Sequence, residues 1–570
     1  MSANGRKPAP TARSDRPHRE APPSRSAAAP RDPRAGGRET VESIVVAFTL
    51  ALLFRAFEAE AFVIPTGSMA PTLMGRHKDL VCDSCGEDFR VGCSAELDEA
   101  TNRIRPERMV TEARCPNCGN PMPLTRGGDA GRSYDPRYPS FSGDRIIVDK
   151  FAYDFVEPAR WDVVVFKYPE DAKTNYIKRL VGLPGETLTI AVGDIWTKPL
   201  GDRAAAEVIA RKPPDKLRAM LQVVHDSSHV SAALAKAGWP AAWCDWSGPA
   251  GGPARWQSAD DGRSFAVSCA AGDSARLRYR HLLPSPAVWR DVRAGASVAN
   301  RAAPTLVGDF QPYNADSIGP HWVGDLAVEL ELESRRAEGT VAIDLVEGTA
   351  VHRCTIDLRD GRVALERTGD PETVAAAGTS RVTGTGRWRL LFANVDDELR
   401  LFVDDHPVAF DRPTTWQRPL AAAITDRPVA RGGEPGDPEP GDLAPVGVTA
   451  TGADVRVGGL RVLRDVYYIA SGDATAMAGR TPEETHLDFP LEAGQFFMLG
   501  DNSSASKDSR AWGTHLAPLH HVDRHLIIGR ALAIFWPHAV PARWSVPVRL
   551  GGLEVRLPSW PNFGRMGFVR

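Results

Sequence analysis

The chain changes its hydrophobic rhythm several times. Ser43 to Phe54, SIVVAFTLALLF, is apolar almost without interruption and predicts a helix. Twelve residues rise only about 18 Å as a helix, short of the ~30 Å hydrocarbon core of a bilayer. Continuing to Ile64 supplies the length and brings in Arg55, Glu58 and Glu60. Arg55 and Glu58, three apart, share a helix face, where they can pair and snorkel toward an interface. Leu326 to Glu333 keeps another period, with Glu at every second position from Glu329, and predicts a half-buried strand. Thr340 to Leu345, Cys354 to Leu358 and Val363 to Leu365 continue it. Trp388 to Phe392 and Leu399 to Val403 flank Asn394-Val395-Asp396-Asp397, a hairpin turn by composition. Val455 to Leu463 reads as a further strand pair, and the whole middle region as an antiparallel sandwich. Apolar, β-type blocks also run from Gly143 to Lys198 and from Tyr467 to Val546. Met1 to Glu39 has no apolar face and predicts a disordered tail.

Composition sharpens this pattern at one end. Hydrophobic residues at 42% and charged residues at 25% supply sizeable cores, and 51 Gly with 46 Pro suit a loop-rich, β-rich protein. The net charge of -3 offers no general attraction to nucleic acid, which is not expected as a partner. The first 39 residues break the balance, with nine Lys/Arg against four Asp/Glu. A basic tail before an apolar helix places the N-terminus in the cytoplasm and the rest outside. The expectation is a single-pass protein of the cytoplasmic membrane with lipid as a partner. A buried helix of a soluble domain is the alternative, as is a leader cut near Ala59-Glu60-Ala61. Such a leader would be abnormally long and its site charged.

Three separated segments carry candidate chemistry. The first is Pro65-Thr66-Gly67-Ser68-Met69-Ala70-Pro71-Thr72-Leu73. The second begins at Gly143-Asp144-Arg145 and reaches Tyr176-Ile177-Lys178-Arg179-Leu180-Val181-Gly182. The third is Met498-Leu499-Gly500-Asp501-Asn502, continuing to Ser506-Lys507-Asp508-Ser509-Arg510-Ala511-Trp512. A serine nucleophile needs an adjacent base, and a lysine serves only when neutral. Lowering its pKa from ~10.4 by about 3 units takes roughly 4 kcal/mol of destabilisation of the ammonium, which desolvation can supply. Lys178, between Tyr176-Ile177 and Leu180-Val181, has the apolar setting; Lys150, Lys167 and Lys173 have more polar ones.

Together these segments resemble the bacterial type I signal peptidases, membrane-anchored serine proteases with a Ser-Lys dyad. The resemblance implies Ser68 as nucleophile, Lys178 as general base, and the Ser68 N–H with the Thr66 hydroxyl as oxyanion donors. It implies that Ser506 hydrogen-bonds and orients Lys178, that Asp501, Asp508, Arg510 and Arg179 brace the site, and that Met69 lines the cleft. The family's charged run after Gly-Asp-Asn is replaced here by Ser503-Ser504-Ala505, which puts the bracing in question. The implied substrates are exported preproteins, cut to release their signal peptides without a catalytic cofactor.

The expected architecture is mainly β, a signal-peptidase-like β core behind an N-terminal membrane helix, interrupted by two inserts. It divides into a basic tail (1–40), an anchor (41–60), core segments (61–76, 141–198, 467–546), a cysteine-bearing insert (77–140), a sandwich insert (199–466) and a C-terminal tail (547–570). The sandwich resembles, more weakly, the concanavalin-like lectins and glucanases, which implies a glycan or protein ligand; Trp322 and Trp388 read as core. Cys82-x-x-Cys85 and Cys115-x-x-Cys118 resemble a zinc ribbon, each pair followed by Gly, and predict structural zinc. Outside the cytoplasm disulfides are the alternative, and Cys93 and His77 are nearby alternates or ordinary loop residues. His515, His520, His521 and His525 read as surface or structural. Two other functions compete: a self-cleaving regulator with the same dyad, which lacks a DNA-binding module here, and an anchored glycan-binding protein with an inactive core.

Overall fold

Apolar strands either side of Lys178 build one antiparallel sheet from distant parts of the chain. The computed structural model describes residues 40–49, 59–98, 101, 103–126, 133–248, 254–369, 374–439, 441–470, 486–514, 517–538, 546–550, 553–557 and 562–570. In sheet order the strands are Ala59–Val63, Arg145–Asp149, Ile527–Trp536, Val163–Tyr168, Asp171–Gly182, Gln495–Leu499 and Val522–Asp523. Gly567–Phe568 adds to Ile527–Trp536. Val163–Tyr168 is apolar at nearly every position because both of its faces are covered. Val163 and Val165 pack with Met69 and Leu73 on one side, and Val164 and Phe166 with Leu180 and Met498 on the other. A smaller sheet joins Glu186–Ala191, Asp194–Pro199, Val208–Ile209 and Leu487–Pro490.

The middle region forms two larger sheets sharing one core. One contains Ser264–Ser268, Asp454–Arg464, Leu326–Ser334, Gly386–Asn394 and Leu399–Val403; the other contains Ser274–Tyr279, Val446–Thr451, Thr340–Glu347, Ala350–Asp357 and Arg362–Thr368. Val328, Leu330 and Phe392 of the first meet Ile343, Cys354 and Leu365 of the second in a single apolar cluster. Trp388 packs against it from the edge, while Trp322 is half-buried outside it. Val455 to Leu463, expected as two strands, is one strand, Asp454–Arg464. The Gly458-Gly459 pair lies within it and forms a bulge opposite Glu329 to Glu331, with Gly459 at φ +54°. Short helices at Pro214–Met220 and Pro286–Arg293 escaped the strand reading.

The chain divides into two compact units at Phe57/Glu58. In the first, residues 40–49 are helical, with Ile44, Val46 and Phe48 exposed. The predicted disordered tail up to Glu39 and the continuation of the anchor through 50–58 lie outside the described residues. No described helix is long and apolar enough to cross a membrane.

Candidate active site

The strand Asp171–Gly182 positions two basic side chains on opposite faces. Successive residues of a strand point to opposite sides, so Lys178 faces one way and Arg179 the other. Lys178 lies opposite Val164 and Arg179 opposite Val163 on the neighbouring strand. Lys178 is 4% exposed, and its Nζ donates to Ser68 Oγ at 2.6 Å and to the Ile177 carbonyl at 3.2 Å. Its Nζ also sits 5.4 Å from the centre of the Tyr176 ring. Burial pushes the Lys178 pKa down to about 8, against the opposing pull of Asp508 and Asp501. At pH 7 about a tenth of such an amine is unprotonated, where an ordinary lysine has almost none.

Ser68 sits in the loop from Pro65 to Gly75, which is fixed from several directions. Ala70 N–H donates to Gly67 O and Leu73 N–H to Met69 O, giving the loop a turn of its own. Asn502 holds it from outside, its N–H on Ser68 O at 3.1 Å and its Nδ2 on Gly67 O at 3.0 Å. A Cβ at Gly500 would stand 2.3 Å from both Ser68 O and Ser506 Oγ, so only glycine lets the two loops approach this closely. Thr66 is exposed two residues before Ser68. Met69, expected along the cleft, is instead 0% exposed, in the core with Ile64, Leu73 and Ile146. Ser506 departs from expectation too. Its Oγ is buried without a hydrogen-bond partner, packed against Gly500 rather than bonded to Lys178.

The four charged residues expected to brace the site form two buried ion pairs. Arg179 Nε and Nη2 donate to Asp501 at 2.7 and 2.6 Å, both side chains almost fully buried. Thr72 Oγ1 donates to the same carboxylate, and Arg179 Nη1 to the Trp161 carbonyl. Arg510 pairs with Asp508 at 2.6 Å, and Asp508 also accepts from Gly500 N–H at 3.0 Å. Ser503, in the stretch that departs from the family's charged run, takes a bracing part itself. Its Oγ accepts from Arg510 Nη1 and from Ile469 N–H, both at 2.9 Å.

Residues of the middle region reach this loop, which no sequence signal announced. A Cβ at Gly67 would come 2.1 Å from the Tyr313 ring, and Tyr313 is clustered with Ala70 and Met74. Asn314 and Asn502 exchange amide hydrogen bonds of 2.7 and 2.8 Å, and Asn314 also donates to Ser504 Oγ. The Lys178 strand keeps one free edge nearby. Asp171–Gly182 pairs with Val163–Tyr168 along one side, while Gln495–Leu499 meets the other side only from Arg179 onward. Among the described residues no strand pairs the edge of Thr174 to Lys178 there.

The four cysteines converge at a separate point. The Sγ atoms of Cys82, Cys85, Cys115 and Cys118 all lie within 4.8 Å of one another. Cys82 and Cys118 are 3.5 Å apart, and Cys85 and Cys115 3.7 Å. Disulfide sulfurs stand about 2.05 Å apart, so these contacts across the two pairs are not disulfides. Gly86 N–H bonds Cys82 O and Gly119 N–H bonds Cys115 O, with φ of +81° and +67° closing each knuckle. The cluster packs on Leu234 and Trp289 of the middle region. Neither alternate ligand joins it: Cys93 is a separate buried thiol and His77 lies among other partners.

Residues 129–231 and 450–536 match the family described as signal peptidase, peptidase S26. The signal peptidase I of Pseudomonas aeruginosa is 47% identical over 58 residues, covering 8% of this chain and 20% of that protein. The probable signal peptidase I-1 of Synechocystis sp. is 34% identical over 101 residues, covering 15% of this chain and 50% of that one. The chain thus spans between about a fifth and a half of the length of these curated relatives. Among solved structures, the carbohydrate-binding module CBM66 of Bacillus subtilis is similar at a TM-score of 0.21 and 8% identity, covering 39% of this chain and 94% of that chain.

Proposed function

We propose that this chain, which belongs to the signal peptidase S26 family, is a membrane-anchored serine endopeptidase that removes signal peptides from exported preproteins. The observation that carries the reading is the 2.6 Å contact between Lys178 Nζ and Ser68 Oγ in a site that lowers the lysine's pKa. Neutral Lys178 takes the Ser68 proton as Oγ attacks the scissile carbonyl. The Ser68 N–H and the Thr66 hydroxyl receive the developing oxyanion. Lys178 then delivers the proton to the leaving amine of the mature protein, leaving the signal peptide as an ester on Ser68. Water, deprotonated by Lys178, hydrolyses that ester. Substrate lies extended along the open edge of Thr174 to Lys178, where its backbone replaces a missing strand. The apolar run from Ser43 and the basic tail before it support an anchor with a cytoplasmic N-terminus.

The cysteines, in this reading, hold a structural zinc. Tetrahedral Zn–S bonds of ~2.3 Å separate sulfurs by about 3.8 Å, close to the distances across the two knuckles. Four thiolates leave no open coordination position, so no catalytic step passes through this metal.

The test is cleavage of a preprotein in detergent by wild type, Ser68→Ala and Lys178→Met. Both substitutions should abolish cleavage. Wild-type kcat/KM should rise with pH through about 8, because the reactive form is the deprotonated lysine. Activity retained by either variant would sink the dyad.

A further inference from the structure

Away from Ser68, His77, Asp79 and His538 bring three donor atoms within 4.8 Å of one another. Their side chains are 0%, 9% and 1% exposed. His77 Nδ1 lies 2.7 Å from the Gly75 carbonyl, which can only accept, so Nδ1 carries the proton and Nε2 presents a lone pair. That Nε2 makes no hydrogen bond and sits 3.6 Å from Asp79 Oδ1. His538 Nε2 and Asp79 Oδ2 face each other at 2.5 Å, while the buried His538 Nδ1 has no hydrogen-bond partner. Arg90 Nε donates to Asp79 Oδ1 at 3.0 Å and fixes the carboxylate. The two imidazoles meet edge to face at 4.6 Å between centres, walled by Phe141.

Buried imidazole nitrogens normally find a partner. A histidine whose other nitrogen donates to a backbone carbonyl has the arrangement of a metal-ligating histidine, with its tautomer set by the outer hydrogen bond. Two imidazole nitrogens and one carboxylate oxygen suit zinc and its first-row neighbours rather than calcium or magnesium. From these groups we infer that His77, Asp79 and His538 form a second divalent transition-metal site, distinct from the four cysteines. The metal would join the strand His77–Val81, which leaves the Ser68 loop through Gly75, to the segment after Ile527–Trp536. Gly75 lies so close to Thr66 that a Cβ there would be 2.2 Å from the Thr66 carbonyl carbon. The site therefore ties down the base of the Ser68 loop.

The experiment uses the full chain, stripped with chelator, reloaded with zinc or Co(II), and freed of excess metal. Wild type should retain one zinc more than His538→Ala and Asp79→Asn. The Co(II) difference spectrum, wild type minus His538→Ala, should show ligand-field bands without thiolate-to-cobalt charge transfer. Equal metal contents, or a difference spectrum carrying thiolate bands, would overturn the inference. If the variants fail to fold, zinc absorption spectroscopy on wild type decides. A mixed sulfur and nitrogen/oxygen shell upholds the site, whereas a pure sulfur shell or bound zinc that is absent altogether leaves Asp79 and His538 as an ordinary ion pair.

Discussion

Lys178, Arg179, Asp501 and Asp508 are each at most 4% exposed within one small part of the Lys178 sheet. The sandwich places Val328, Leu330, Ile343, Cys354, Leu365 and Phe392 at equivalent depth, all apolar. The sandwich buries charges too, Arg278, Asp344 and Arg367 on its strands among them, but its buried lysine, Lys212, is held by Asp396 and Asp465 at 2.7 and 2.6 Å, which keep its pKa above the ordinary value. Burying charge costs several kcal/mol per ion unless geometry and hydrogen bonds restore it, whereas burying Leu or Val stabilises directly. Both regions carry that burden, but Lys178 bears it bonded to a hydroxyl and a backbone carbonyl rather than to a carboxylate. That burden has a use in the proposed chemistry: the same desolvation that penalises an ammonium makes Lys178 a base near neutral pH.

The comparison breaks most sharply at the buried pairs. Asp501→Asn leaves the Arg179 guanidinium at 0% exposure without its carboxylate, and should cost about 3–5 kcal/mol in urea unfolding. Leu330→Ala, at a fully buried sandwich position, should cost about 2–5 kcal/mol by cavity formation. The two should differ in activity. Per folded molecule, Leu330→Ala should keep kcat/KM within about twofold, because sites without shared partners behave additively, while Asp501→Asn should lose far more. If Leu330→Ala cut activity as deeply as Asp501→Asn, the two regions would not be separable in function.

Those outcomes bear on what sequence can reveal. The Ser68, Lys178 and Asp501 segments were legible because each carries a distinctive run of residue types, and the fold brings Ser68 and Lys178 to 2.6 Å. The strands from Leu326 to Leu365 were legible because each has one face on a core and one on solvent, which imposes period two. The Gly458-Gly459 bulge was not, since two glycines suit a turn and a bulge alike. Met69 and Ser506 went astray for a related reason: a motif gives residue type but not the direction of a side chain. Asp79 and His538 stand 459 positions apart in the chain, and only the pairing of distant strands puts them together. Tyr313 and Asn314 lie in an irregular segment with no periodicity, and their partners are more than 180 residues away.

Asn314 supplies the smallest effect and the finest test, because it belongs to the middle region yet grips the loop that holds Ser68. Its side chain exchanges two hydrogen bonds with Asn502 and donates a third to Ser504, and Asn502 in turn holds Gly67 O and Ser68 O. Asn314→Ala removes partners that each contribute about 0.5–1.5 kcal/mol, with water able to replace part of this at a half-buried position. If the net loss of about 1 kcal/mol falls on the positioning of Ser68, kcat/KM should drop about fivefold. The apparent pKa of the rate profile should stay near 8, since the burial that lowers it surrounds Lys178 on its own strand. A drop in rate with an unmoved pKa would make the middle region a positioning element of the active site. An unchanged rate with a lower unfolding midpoint would make the contact structural. A shifted pKa would mean that the grip of Asn314 extends to the environment of Lys178, and that the boundary between the two regions lies inside the sandwich's own loop.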